Sequence, residues 1–335
     1  MKVLVTGGAG FIGSHTVVEL IERGYTPIII DDFRNSEKFI IKRIETICDR
    51  KIKVYDIDCG DHLLMKNIFE IEKPDGIIHF AAYKAVNESV NKPLKYYQNN
   101  IGSLVNILKI METYNVSFFI FSSSCTVYGI PDKVPVTEKT PINQAFSPYG
   151  YTKQVGEQCL KDFHMVNPNT SIILLRYFNP IGAHPSALLG ELPIGIPNNL
   201  VPFVTQTAAG IREKLTVFGD TYSTPDGTCI RDYIHVVDLA SSHVAALKYA
   251  TENIGKLDVF NVGTGNGSSV LDVINTFEKV NNIKLNYIIG EKRDGDASCV
   301  YANNTHITDT LSWQAKYSLS DSLKHSWNWQ KSLNE

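Results

Sequence analysis

No apolar run in this chain is long enough to cross a membrane. The longest, such as Ile77–Ala82 and Ile172–Leu175, have the length of buried strands and fall far short of the roughly 20 residues a helical span needs. Neither charge dominates: 32 Lys and Arg are interspersed with 35 Asp and Glu, for a formal net charge of −3. That leaves no basic face with which to hold nucleic acid. The six cysteines (Cys48, Cys59, Cys125, Cys159, Cys229 and Cys299) lie singly, with no CxxC pair. Their spacing predicts neither a disulfide framework nor a zinc site, and points to reduced thiols in a cytoplasmic protein. The nine histidines show no HxxxH or HExxH spacing, so no metal centre is expected. Internal repeats and low-complexity tracts are missing as well. Met1 is followed at once by a strand-like run and a glycine cluster, which predicts no signal peptide, and a sequon such as that at Asn115 then carries little weight.

What is present is a chain of 335 residues, 43% apolar, enough for a full core and for one large α/β domain with a smaller second lobe. In the first half, short β-branched or aromatic runs (Lys2–Thr6, Thr26–Ile30, Ile52–Tyr55, Gly76–Phe80, Ser117–Ser122 and Ser171–Arg176) alternate with longer segments of helical spacing. The alternation predicts a Rossmann-type, doubly wound parallel sheet with helices on both faces. Such sheets bind ligands beyond the carboxyl ends of their strands, so the residues just after each strand matter most. Beyond Arg176 the rhythm changes. Asn179–Pro202 is rich in Pro, Gly and Asn and reads as an ordered binding loop. A helix over Val236–Tyr249, a strand at Val259–Val262 and a helix at Val270–Val280 follow. The expected division is a dinucleotide-binding domain over 1–178 and a smaller, mixed α/β substrate lobe over 179–335, with segments near 232–265 returning to the main sheet.

Gly7-Gly8-Ala9-Gly10-Phe11-Ile12-Gly13 leaves the first strand and opens a helix. Glycines there let the backbone turn tightly and approach a pyrophosphate, whose charge sits on the helix N-terminus. Asp31 ends the second strand, placed to accept hydrogen bonds from ribose hydroxyls and to repel a 2′-phosphate, which favours NAD over NADP. Asp32 either shares that task or is a turn acid. Asp58, after the third strand, reads as an adenine contact or a helix-cap residue.

Ser122-Ser123-Ser124 ends the fifth strand, and the later Ser147-Pro148-Tyr149-Gly150-Tyr151-Thr152-Lys153 puts Tyr149 and Lys153 at i, i+4 on one face of a starting helix. A free tyrosine, with a pKa near 10, is a poor base at neutral pH. A neighbouring ammonium and an oxidised nicotinamide are expected to lower it, and Ser124 to orient the substrate hydroxyl. A YxxxK pattern is common by chance; after a dinucleotide fingerprint and a serine-rich strand end the catalytic reading is the stronger. His79, His184 and His235 read as packed or backbone-ordering residues.

These features, with TGGAGFIGSH, HFAAYKAVNES, SSSCTVYG, SPYGYTK, LLRYFNPIGAHPS, GIPNNL, DGTCIRDYIHV and the late KRDGD segment, resemble the extended short-chain dehydrogenases/reductases over essentially the whole length, and among them the UDP-glucose 4-epimerases. The resemblance implies an isomerase that holds NAD, interconverts UDP-glucose and UDP-galactose through a 4-keto sugar, and works as a homodimer through helices around Leu94–Tyr114 and Thr152–His164. Carried over residue by residue, it implies a cofactor site of Gly7, Gly10, Phe11, Ile12, Gly13, Asp31, Asp32, Asn35, Ser36, Asp58, Phe80, Ala81, Lys84, Asn99 and Phe178. Tyr149 takes the role of base, and Lys153 that of nicotinamide-ribose ligand. The substrate set is Ser124, Asn179, Asn199, Phe218, Arg231, Arg293, Asp296 and Val300, with the two arginines suited to a diphosphate.

Three positions depart from the family pattern. Cys125 follows Ser124, where alanine is also usual, and Cys59 follows Asp58, where an aliphatic residue is usual. Val300 stands at the position that resembles the gate beside the sugar's C2 substituent; smaller than tyrosine, it leaves room for an N-acetyl group and suggests activity on UDP-N-acetylhexosamines as well. The alternatives are a nucleotide-sugar dehydratase, whose acid–base pair would stand where Cys125 and Thr126 do, and a non-catalytic NAD-binding regulator.

Overall fold

The computed structural model describes residues 1–293 and 295–333. Six strands form where the alternation predicts them, each end within a residue: β1 (Lys2–Thr6), β2 (Thr26–Asp31), β3 (Lys53–Asp56), β4 (Gly76–His79), β5 (Phe118–Ser122) and β6 (Ser171–Tyr177). With Leu257–Val262 beside β6 they make a seven-stranded sheet in which the first six run β3-β2-β1-β4-β5-β6. All five of those pairings are parallel. This is the Rossmann-type arrangement. The chain passes to one side of β1 for β2 and β3 and to the other for β4 to β6, which opens a crevice at the carboxyl ends of β1 and β4.

Helices α1 (Phe11–Glu22), α2 (Phe39–Cys48), α3 (His62–Glu72), α4 (Val86–Asn91), α5 (Pro93–Tyr96), α6 (Gly102–Tyr114) and α7 (Pro148–Val166) connect the strands, with a single π turn, Tyr97–Ile101, leading into α6. Because helices cover both faces, strands such as β4 are buried along their whole length and read as unbroken apolar runs. Leu4, Ile28, Ile30, Met65, Phe69, Ile107, Met111, Phe119, Phe121, Leu160 and Leu174 pack into one core. Each fully buried side chain of this kind contributes about 1.5–3 kcal/mol. Helix starts follow local chemistry. Asp61 caps α3 by accepting from Leu63 and Leu64 N–H. Ser147 caps α7 by accepting from Gly150 N–H, with Pro148 as its first helical residue. The α1 start differs: Gly10 is its N-cap and supplies no side-chain acceptor.

The chain divides into two compact units. Unit 1 comprises Met1–Gly129, Pro141–Tyr177 and Ala240–Phe260; unit 2 comprises Ile130–Thr140, Phe178–Leu239 and Asn261–Glu335. Unit 2 is built from short pieces. Ile181, Val201, Val204, Val217, Tyr233, Ile274, Phe277 and Leu323 form its core. Its small sheets include a three-stranded ribbon ordered Ser268–Ser269, Ile230–Arg231, Cys299–Val300, and the parallel pair Leu215–Phe218 with Tyr287–Gly290. No described helix is long and apolar enough to cross a membrane.

Candidate active site

The glycine loop between β1 and α1 is shaped by contacts that only glycine permits. Gly7 has φ +70°, and a Cβ on it would lie 2.9 Å from Ala81 N. A Cβ on Gly13 would lie 2.1 Å from the Gly7 carbonyl oxygen, so α1 seats on the loop only because that position is empty. The first N–H groups of α1 keep no side-chain cap and face the crevice with the positive end of the helix dipole. Phe11 and Ile12 are the first residues of α1. Phe80 and Ala81, after β4, are tied back to Thr6: Phe80 N–H donates to its carbonyl at 3.0 Å and Ala81 N–H to its hydroxyl at 3.4 Å.

Asp31 is buried at the end of β2 and braces the turn that follows it. One carboxylate oxygen accepts from Ala9 N–H at 2.9 Å; the other accepts from Phe33 N–H at 3.0 Å and the Ser36 hydroxyl at 2.8 Å. Burial raises its pKa, and these hydrogen bonds pull it back. They also hold Phe33 at φ 55°, a left-handed conformation rare for a bulky residue. Asp32 and Asp58 are joined by Arg34, which the sequence reading did not single out. Its Nε donates to Asp32 at 2.6 Å, one terminal nitrogen to Asp58 at 2.6 Å, and the other to the Tyr83 hydroxyl at 3.2 Å. One arginine among three aspartates at the strand ends was the available signal. Asn35 is exposed in the same turn. Lys84 is exposed after β4, near enough to Tyr177 to lower the pull of burial on that phenol. Asn99 lies in the π turn and donates to Asn100 at 3.0 Å; Asn100 in turn holds Tyr83 and the Thr152 hydroxyl.

The catalytic candidates come together where β5 meets α7. Tyr149 is 7% exposed and Lys153 4%. The Ser124 hydroxyl lies close enough to the Tyr149 phenol to lower its pKa. Lys153 Nζ donates to the Ser122 carbonyl at 2.7 Å and lies 6.0 Å from the Tyr149 ring centre. Burial pushes the Tyr149 phenol well above its ordinary value, with Ser124 acting the other way. Burial also lowers Lys153 to about 8, opposed by Glu157. Desolvation disfavours both charged forms and is the largest influence on each. Cys125 and Thr126 open a short 3₁₀ turn capped by Ser124, whose hydroxyl accepts from Thr126 N–H at 3.2 Å. Cys59 is part of the core, its thiol pushed up to about 12 by burial. Glu157 and Arg176, also not singled out from sequence, are buried beneath this site.

In unit 2, Arg231 forms an ion pair with Asp296 and donates to the Ile230 carbonyl at 2.8 Å. Val300 is in parallel register with Arg231. The Arg293 guanidinium lies 3.9 Å above the Phe218 ring, and Asp296 N–H donates to the Arg293 carbonyl at 3.4 Å. Asn179 N–H donates to the carbonyl of Asp232, next to Arg231, at 2.9 Å. Asn199 stands apart from this chain of contacts, at the start of the helix Leu200–Ala208, with its amide on Glu191 at 2.6 Å. Phe178 is buried in unit 2. Asp294, within the KRDGD segment, lies outside the described residues. Asp232 is the organising residue here: fully buried, it accepts from Thr264 N–H and hydroxyl, Gly265 N–H and Ala302 N–H. Among the described residues no group of three or more His, Cys, Asp or Glu is arranged to hold a metal ion.

The chain is similar to known proteins over nearly its whole length. A family model described as GDP-mannose 4,6 dehydratase matches residues 4–326. The chain is 46% identical over 331 residues to UDP-glucose 4-epimerase 2 of Arabidopsis thaliana, covering 98% of this chain and 94% of that one. Among solved structures, UDP-glucose 4-epimerase from Bifidobacterium longum in complex with NAD+ and UDP superposes with a TM-score of 0.96 at 47% identity, over 99% of this chain and 98% of that one. The Stenotrophomonas maltophila enzyme, with bound NAD and formylated UDP-arabinopyranose, gives a TM-score of 0.97 at 42% identity, over 100% and 99%. The chain therefore belongs to the family that the dehydratase model describes, and within it to the UDP-glucose 4-epimerases.

Proposed function

We propose that this protein is an NAD-dependent epimerase that interconverts UDP-glucose and UDP-galactose, by oxidation at C4 to a 4-keto sugar and re-reduction from the opposite face. The observation that carries the reading is the grouping of Ser124, Tyr149 and Lys153 at the end of β5, in the unit that also bears the glycine loop. The residues present fit NAD. The uncapped α1 start and the tight glycine loop packed against it, which the missing Gly13 side chain allows, suit a pyrophosphate, and the braced Asp31 carboxylate suits an unphosphorylated ribose. When bound, NAD supplies the acceptor and donor of the C4 hydride. The chain's own part is proton handling and grip. Tyr149 takes the C4 hydroxyl proton and returns it, and Ser124 orients that hydroxyl. Burial alone holds the phenol too high for this at neutral pH, so positive charge in the site has to bring it down. Lys153, fixed by the Ser122 carbonyl, contributes part of that charge.

The division of labour we propose follows the two units. Unit 1 holds NAD and handles the proton; unit 2 holds UDP, with Arg231 and Arg293 on the diphosphate and Phe218 and Asp296 on the nucleoside. A grip concentrated on UDP leaves the hexose free to turn over between the two hydride transfers. A dehydratase would need an acid to protonate a leaving hydroxyl, and Cys125 and Thr126 after Ser124 do not serve. A second reading rests on Val300. It is 8% exposed and sits opposite Arg231, so a short side chain stands beside the proposed diphosphate grip; turnover of UDP-N-acetylhexosamines follows. The protein is further proposed to work as a cytoplasmic homodimer. Six cysteines outside any disulfide fit a reducing compartment, and Leu94, Tyr151, Met165 and Val166 expose apolar surface on or beside the helices the resemblance implicates.

The test is proton NMR of purified protein with UDP-galactose and no added NAD. Growth of the UDP-glucose anomeric signal supports the reading and shows that cofactor travels with the protein; no change even after NAD is supplied removes it. UDP-N-acetylgalactosamine left untouched, at enzyme levels that exhaust UDP-galactose, removes the Val300 reading. Light scattering should give twice the 37.4 kDa chain mass; a monomer rejects the dimer.

A further inference from the structure

Three consecutive serines leave β5, and each faces a different turn of α7. The Ser122 carbonyl accepts from Lys153 Nζ at 2.7 Å, the Ser123 hydroxyl donates to Glu157 Oε1 at 2.6 Å, and the Ser124 hydroxyl meets the Tyr149 phenol. Tyr149, Lys153 and Glu157 are spaced four residues apart, so they form one stripe along the helix. The first two partners belong to the proposed chemistry. The third does not touch it.

Glu157 is fully buried, and so is Arg176 of β6. The guanidinium grips both carboxylate oxygens, Nε to Oε1 at 2.8 Å and Nη2 to Oε2 at 2.6 Å, and also donates to the Tyr128 hydroxyl at 3.1 Å. A bidentate pair in a dry interior has one good geometry, because losing either partner strands a buried charge. Glu157 is thereby fixed relative to β6, and through Ser123 relative to the last residues of β5. A slip of α7 by a single residue, about 1.5 Å, would break this pair before it moved anything exposed.

We infer that Glu157, held by Arg176, is a positioning residue: it sets the register of α7 on the serine end of β5, and so places Tyr149 against Ser124 and Lys153 against the Ser122 carbonyl. The inference rests on the function proposed above for those two residues. Glu157 also acts through its charge, raising the Lys153 pKa against burial. The groups facing Lys153 are Tyr149 and Glu157 from its own helix, His79 from β4, and the Phe121 ring and Ser122 carbonyl from β5.

The experiment uses the NAD-loaded enzyme and two variants, Glu157→Gln and the milder Ser123→Ala, with kcat normalised to bound NAD. Misplacing a catalytic group by about 1 Å lowers turnover by up to about 100-fold. Glu157→Gln is therefore expected to lose about 10- to 100-fold in kcat, and Ser123→Ala a smaller factor in the same direction. KM for UDP-galactose should hold within about twofold, since the proposed UDP grip is untouched, and the low-pH limb of kcat should move in Glu157→Gln alone. A purely structural role would lower the yield of NAD-loaded protein and leave kcat and the pH limb as they are; that result in both variants overturns the inference. The placement is also read without substrate, from the carbon-13 shift of the Tyr149 phenol carbon, assigned with Tyr149→Phe. An unchanged shift in both variants overturns it too. If the unaltered enzyme itself leaves UDP-galactose untouched, it is the proposed function that falls, while the phenol shift still decides the register.

Discussion

Burial raises the pKa of the Tyr149 phenol, with Tyr177 adding to the rise, and the Ser124 hydroxyl lowers it, burial being the largest influence. A group so placed is useful only in a site that supplies positive charge, which is why the residue is informative about mechanism. Tyr149→Phe removes the proposed proton acceptor and little else. Turnover of UDP-galactose should fall by roughly 100- to 10,000-fold, while the NAD released on denaturing the purified protein stays the same. Loss of NAD along with activity would instead assign the tyrosine to cofactor binding. His79 illustrates a different use of burial. Its ring sits in the sheet with Nδ1 on the Thr6 hydroxyl at 2.7 Å, and desolvation, with Lys153 nearby, lowers its pKa from 6.5 to about 3. The unfolded chain binds a proton through that window and the folded chain does not. This contribution to stability is thus whole above pH 6.5 and is lost as pH falls toward 3, at up to about 1.4 kcal/mol per pH unit. Urea unfolding between pH 7 and 4 should show His79→Gln, less stable at pH 7, losing stability less steeply than the parent. Parallel curves would mean that the ring is protonated in the native state.

At the scale of elements, α1 depends on one missing side chain. The 2.1 Å approach that a Gly13 Cβ would make to the Gly7 carbonyl cannot be relieved by a rotamer change, because both atoms are backbone-fixed. Gly13→Ala should displace α1, lower stability by about 2 kcal/mol or more, and yield protein purified without NAD. Retention of NAD at an unchanged Tm would show that the loop moves freely. In unit 2 the comparable element is the ribbon that carries Arg231 and Val300, gathered around the buried Asp232 carboxylate. Asp232→Asn turns an amide N–H₂ toward backbone N–H donors and leaves at least one unsatisfied, at about 1–3 kcal/mol each. Weaker UDP binding by calorimetry is the expected result. Full UDP affinity in the folded variant would separate the ribbon from the nucleotide grip.

For the whole molecule, the two units are the organising fact, and the proposed assignment of one ligand to each has a direct consequence. Hydrogen exchange with NAD alone should slow amides within Met1–Gly129 and Pro141–Tyr177, and exchange with UDP alone should slow those of Phe178–Leu239 and residues 261–333. Protection spread evenly by either ligand would contradict the division. The balanced surface charge adds little long-range steering, so association with an anionic UDP-sugar is expected to depend on local arginines and only weakly on ionic strength beyond them.

The sequence by itself determined the sheet, its strands and the helix carrying Tyr149 and Lys153. These follow from local matters: apolar runs of strand length, a Ser-Pro helix start, and glycines whose missing side chains are a property of the residue type. It also named Asp31, Ser124, Arg231 and Asp296, since short motifs keep their neighbours. The tertiary structure alone decided what depends on residues far apart in the chain. Glu157 and Arg176 are 19 residues apart and become partners only when α7 packs on β6. Arg34 meets Asp58 only because β2 and β3 run side by side. Asp232 finds Ala302 across 70 residues. The electrostatic balance at Tyr149 belongs here as well. Its neighbours could be listed from the sequence, but burial outweighs them, and burial is a property of the folded chain.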